Sequence, residues 1–101
     1  MDDTKVIAEL IISAVGMGVS VSKYVKAAVK KIDEFPGIRV LHHPMGTVIE
    51  ADTVEQVLEV TRIAHEEIFK IGGNRVVTQL RIDDRRDKPR RMEDKVNALK
   101  P

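Results

Sequence analysis

The chain reads as an α+β domain of the ferredoxin-like βαββαβ type. A four-stranded antiparallel sheet carries two helices on one face, and a short helical tail follows at the C-terminus. Three observations lead there. Four segments carry strand signals. Two carry apolar residues at helical spacing. Their order along the chain is β-α-β-β-α-β. A length of 101 residues suits one such unit over 1–101, with a core at about 5–83 and an oligomerisation tail at about 84–101.

Residues 5–14 are rich in Val and Ile and form the first strand. Ala8, Leu10, Ile12 and Ala14 make one wholly apolar face; Ile7, Glu9, Ile11 and Ser13 make a mixed one. Gly16-Met17-Gly18 breaks the strand, and Ser20 or Ser22 caps a helix over 21–34. On that helix Val21, Val25, Ala28 and Ile32 share a stripe flanked by Tyr24 and Val29. Pro36-Gly37 ends it. Residues 38–43 and 47–51 are strands around a Pro44–Gly46 turn, with His43 opening a type I turn. Thr53 and Gln56 form a capping box for a helix to about Ile71, whose buried side is Val54, Val57, Leu58, Thr61, Ala64, Ile68 and Ile71. Gly72-Gly73 stop it, and residues 75–82 form the last strand. Residues 92–99 make one or two helical turns with Met92, Val96 and Leu99 on one side.

Composition removes several function classes. With no cysteine there are no disulfides, thiolate zinc sites or cysteine-held iron–sulfur clusters. A net charge of +1 gives no global attraction for nucleic acid or anionic lipid. The apolar run at 6–15 is interrupted by Glu9 and too short to span a bilayer, and two aspartates precede it where a signal peptide carries positive charge. The expected location is the cytoplasm.

In this topology the first and third strands are central. The helices cover the apolar face of strand one, so its mixed face is left bare. Strand four splits likewise, with Val76, Thr78, Leu80 and Ile82 inward and Val77, Gln79 and Arg81 outward. Ile49 belongs to the core, which turns Val48 and Glu50 outward. A bare face combining Ile7, Ile11, Val48 and Val77 with Glu9, Glu50, Gln79 and Arg81 calls for a partner. The simplest is the same face of another subunit, giving a homodimer or homotetramer. Glu9 and Glu50 then need Arg81, or a ligand with donors, to offset their desolvation.

His42 and His43 are strand neighbours that point to opposite faces, so they do not chelate one metal together. Gly16-Met17-Gly18 before a helix offers backbone N–H groups to an anion but lacks the Lys-Ser/Thr of a phosphate loop. Arg85, Arg86 and Lys88 sit in a basic stretch laced with acids, read as an inter-subunit arm or an anion site, with Arg81 beside it. RNA binding is disfavoured, because Tyr24, Phe35 and Phe69 lie outside the strands on which bases would stack. No metal site, cofactor or catalytic nucleophile emerges. Glu9 and Glu50 as an acid–base pair is the enzymatic alternative.

With these pieces in place the chain resembles the thiamine-binding, YkoF-like family of small ferredoxin-like proteins. The matching stretches are AEL at 8–10, GMGVSVSKYV at 16–25, PMGTVIEAD at 44–52, RVVT at 75–78 and IDDRRDKPRRMEDKV at 82–96. The resemblance implies homo-oligomers packed through open sheet faces, and binding of thiamine or its hydroxymethylpyrimidine moiety. It implies no established enzymatic activity. On that footing Glu9 or Glu50 accepts from the exocyclic amine, and Ser13, Thr47 and Gln79 add hydrogen bonds. Met45 and Tyr24 contact the ring, Tyr24 only if it leans out from its helix, and Ser22 joins the ligand-binding candidates. The alternative is an oligomeric regulatory module that binds another metabolite, or an anion, at the subunit interface.

Overall fold

The computed structural model describes residues 4–16 and 21–101, with the backbone alone of Val21. The proposed strand break at Met17 and Gly18 and the candidate cap Ser20 fall outside the described residues. The elements are β1 (Val6–Ala14), α1 (Val21–Glu34), β2 (Arg39–His43), β3 (Gly46–Ala51), α2 (Val54–Lys70), β4 (Val76–Asp84) and α3 (Met92–Asn97). The sheet order is β2-β3-β1-β4 and every neighbouring pair is antiparallel. This is the ferredoxin-like arrangement.

The punctuation in the sequence does what its chemistry requires. At the start of α2 the Gln56 backbone N–H donates to Thr53 Oγ1 at 3.2 Å, and the Gln56 Oε1 accepts from the Thr53 N–H at 3.1 Å. The capping box thereby satisfies donors that the first turn leaves without helical partners. At the other end the Gly73 N–H bonds the Ile68 carbonyl at 2.8 Å and the Gly72 N–H bonds that of Phe69 at 3.1 Å. That crossed pair is a Schellman motif, and Gly72 takes the φ of +106° that it needs. In the β2–β3 hairpin a side chain at Gly46 would bring its Cβ within 3.0 Å of the Leu10 carbonyl, so β3 can lie this close to β1 only with glycine there.

Register sorts the sheet residues by face. Ala8 pairs with Ile49 and Ile82, and Leu10 with Thr47 and Leu80, all toward the helices. Leu10, Ile49, Val57, Val60 and Ile68 are fully buried and form the centre of this layer. Two expectations are corrected. Leu58 lies in solvent and Val60 takes its place in the core, because the buried stripe of α2 runs through 57, 60, 64 and 68. Tyr24 does not lean out from α1; it is packed in the core among the helix-side residues.

The second face is not wholly bare. There α3 lies across one end, with Met92 only 9% exposed, and three polar contacts tie the helix to the sheet. Val96 and Leu99, on the same side of the tail, remain 58% and 84% exposed.

Candidate functional site

The open face is built by four strands in register. Glu50 on β3 stands between Ile7 of β1 and Arg39 of β2, and Glu9 stands between Val48 and Arg81. Beyond them along β1, Ile11 pairs with Gln79 and Ser13 with Val77. Strand alternation thus brings Glu9, Ser13, Glu50, Gln79 and Arg81 to one surface.

Glu50 is 3% exposed, a depth at which a carboxylate needs a cation and hydrogen bonds. Its Oε2 accepts from Arg39 Nη1 at 2.8 Å and from the Met92 backbone N–H at 3.2 Å. Its Oε1 has no hydrogen-bond donor, with Arg91 Nη1 at 3.7 Å. Arg39 is shared: the same guanidinium forks onto Glu93 at 2.9 and 2.5 Å. The bond to Glu93, and after it the charge of Glu50, raise the pKa of Arg39; the reciprocal bond lowers that of Glu93. The expected ion pair on this face therefore exists, but its cation is Arg39 and not Arg81.

Between α3 and the sheet runs a groove of about 380 Å³. Its apolar wall includes Ile7, Leu41, Val48, Met92 and Val96, and its charged rim is Glu9, Arg81, Asp83, Glu93 and Lys95. Lys95 bonds Asp83 at 2.5 Å. Glu9 has His43 Nε2 at 3.5 Å. Three carboxylates and two cations thus rim an apolar floor, with Glu93 and Asp83 already paired to Arg39 and Lys95.

The other predicted ligand residues lie elsewhere. Thr47 is on the helix side of β3, where His42 Nδ1 is 2.9 Å from its hydroxyl and His42 Nε2 is 2.8 Å from Asp33 of α1. Met45 is exposed at the hairpin tip, beside a second cavity of about 530 Å³ under α1 that Thr47 also lines. Ser22 is exposed on α1. Of the predicted ligand residues only Glu9 lines the groove; Ser13, Glu50 and Gln79 share its sheet face without lining it, and Ser22, Tyr24, Met45 and Thr47 lie elsewhere. Arg85 pairs with Asp87 at 2.7 Å and Arg86 with Asp84 at 2.8 Å, while Lys88 is exposed nearby. The two histidines do face opposite sides. Among the described residues no group of His, Asp or Glu is placed to hold a metal ion, and no helix is long and apolar enough to cross a membrane.

The profile of the thiamine-binding protein family matches residues 8–100. The chain belongs to this family. Relatives named as UPF0045 proteins span nearly all of it. That of Methanothermobacter thermautotrophicus is 39% identical over 94 residues, which is 92% of this chain and 94% of the relative. That of Staphylococcus xylosus is 40% identical over 97 residues, covering 92% and 90%. Among solved structures, a Methanocaldococcus jannaschii protein superposes with a TM-score of 0.84 at 38% identity, covering 94% of this chain and 95% of its own. A Thermotoga maritima protein described as a candidate for thiamine biosynthesis or salvage superposes at 0.79 with 20% identity, covering 95% and 99%, which speaks to the fold. Both superpositions cover nearly the whole chain, in keeping with the ferredoxin-like arrangement.

Sequence reasoning missed Arg39, His43, Asp83 and Glu93 as parts of this site. For two of them a signal was available. The hairpin turn leaves His43 opposite Gly46, and counting back along both strands sets Arg39 opposite Glu50. The strand at 38–43 had only to be sorted by face, as the other three were. For Glu93 nothing local points to the sheet, since its partner is 54 residues away.

Proposed function

We propose that the protein is a non-enzymatic binder of thiamine or of its hydroxymethylpyrimidine moiety, acting as a homo-oligomer. The observation that carries this reading is the groove under α3, whose carboxylates face an apolar floor, in a chain of the thiamine-binding family. Its volume of about 380 Å³ falls in the range of small-molecule sites. An aminopyrimidine ring would lie on Ile7, Leu41 and Val48 and donate its exocyclic amine to Glu9. The thiazolium charge would rest near Asp83 and Glu93. Gln79 and Ser13 continue the same sheet face beyond the groove. Leu41, Val77 and Val96 are exposed around it, and a second copy laid on this face would cover them.

Calorimetric titration with thiamine and with hydroxymethylpyrimidine tests the reading. Saturable heat is expected, and Glu9→Gln should weaken binding about tenfold or more, the loss expected for one hydrogen bond to a charged group. No heat at millimolar ligand overturns it. Heat with an anionic metabolite instead would favour the regulatory alternative, through Arg81 and Lys95.

A further inference from the structure

The helix α3 is held in an unusual way for a piece of a folded chain. Six residues are too few for a helix to persist in water unaided. Its one buried apolar side chain is Met92; Val96 points into the groove but remains more exposed than buried. The other attachments are polar: the fork of Arg39 on Glu93, the Met92 N–H on Glu50, and Lys95 on Asp83. A connection without regular structure, residues 85–91, joins it to β4. The same helix supplies Met92, Glu93, Lys95, Val96 and Asn97 to one wall of the groove.

From this we propose that α3 is a lid, closed over the groove by ion pairs and able to lift as a unit while the rest of the fold stays intact. The ligand half of the argument rests on the groove being the binding site. Two of the clasp carboxylates, Glu93 and Asp83, are also groove residues. A cation in the groove and the basic residues of the clasp draw on the same negative charges. Ligand entry and lid closure are therefore coupled, and both weaken as salt screens exposed charges. Glu50 is the fixed post of the clasp. Its bond to Arg39 at 2.8 Å crosses the β2–β3 pair and does not involve α3, so Arg39 stays in place on the sheet when the lid lifts.

Amide hydrogen exchange on the full chain tests the lid. In Glu93→Gln, which leaves the Arg39–Glu50 pair in place, the amides of 92–97 should exchange about tenfold faster while β1 and α2 keep their protection. Raising the salt of the wild type should act in the same direction. Exchanging the charges of the second pair, with Asp83→Lys and Lys95→Asp together, should keep α3 protected where Lys95→Asp alone does not. Unchanged protection in Glu93→Gln and at high salt overturns the proposal. So does loss of α3 protection only in step with β1, since the tail would then be part of the core unit. Adding thiamine separates the two readings. Faster α3 exchange with saturable heat supports both, since the cation takes carboxylates from the clasp; slower exchange with heat overturns that competition. Heat without any change in α3 overturns the lid alone. No heat, with α3 still salt-sensitive, supports the lid and overturns the ligand alone.

Discussion

The two faces of the sheet are made by alternate residues of the same strands, yet they are built on different physics. On the helix side Leu10, Ile49, Val57, Val60 and Ile68 meet in a dry layer. Dispersion and desolvation act there without direction, and each residue is supported by many others. On the other side the contacts are few and directional: Arg39 between Glu50 and Glu93, Lys95 on Asp83, His43 near Glu9. Apart from the buried Glu50, whose charge needs its partner, contacts of this kind add little to stability and can exchange partners. The difference teaches where to look for function. The packed face keeps the strands in register, and the charged face uses that register to present side chains.

Two residues of the hairpin, one on each face of the sheet, sharpen the contrast most. Ile49→Ala opens a void in the packed layer and should lower unfolding stability by about 2–5 kcal/mol, measured by denaturant titration. Leu41→Ala, on the charged face and 52% exposed, should change stability by less than about 0.5 kcal/mol. The same substitution removes part of the groove floor, so calorimetry should register weaker ligand binding. If Leu41→Ala proved as destabilising as Ile49→Ala, the division of labour between the faces would be broken.

The smallest expected effect is local and set by pH. Arg39 holds the Glu93 carboxyl below its usual 4.5. A carboxylate whose folded pKa is lowered stabilises at every pH above its unfolded value and loses that contribution as pH falls through the folded one. The clasp on α3 should therefore be complete above pH 4.5 and fail below it, while the packed face keeps its protection. Carbon-detected titration of Glu93 beside the amide signals of 92–97 follows both; a Glu93 that titrates at or above 4.5 breaks the prediction.

Much of this was legible in the sequence because it is local or periodic. The capping box at Thr53 and Gln56, the glycines after Ile71 and the alternation of β1 each depend on neighbours a few residues away. From them follow the strand order, the helix face and the presence of Glu9, Glu50, Gln79 and Arg81 on one surface. What escaped depends on distant pairing. That Glu50 is buried at all follows from α3 lying over it, and Met92 is 42 residues further on. The stripe of α2 was misjudged at Leu58 and Val60 because several apolar residues in succession fit two adjacent stripes. Tyr24 was ambiguous for a related reason: an aromatic ring with a hydroxyl suits a core or a site, and packing decides.

The capping box reaches beyond its own helix. While Gln56 Oε1 accepts the N–H groups of Asp52 and Thr53, its amide nitrogen occupies the space beside Gly37, where an added Cβ would stand 3.2 Å from it. Gly37, at φ +83°, forms the turn between α1 and β2. Positions 37 and 56 are thus linked: a side chain gained at the first would have to push the Gln56 amide aside by a few tenths of an ångström, and the strain would fall on the start of α2.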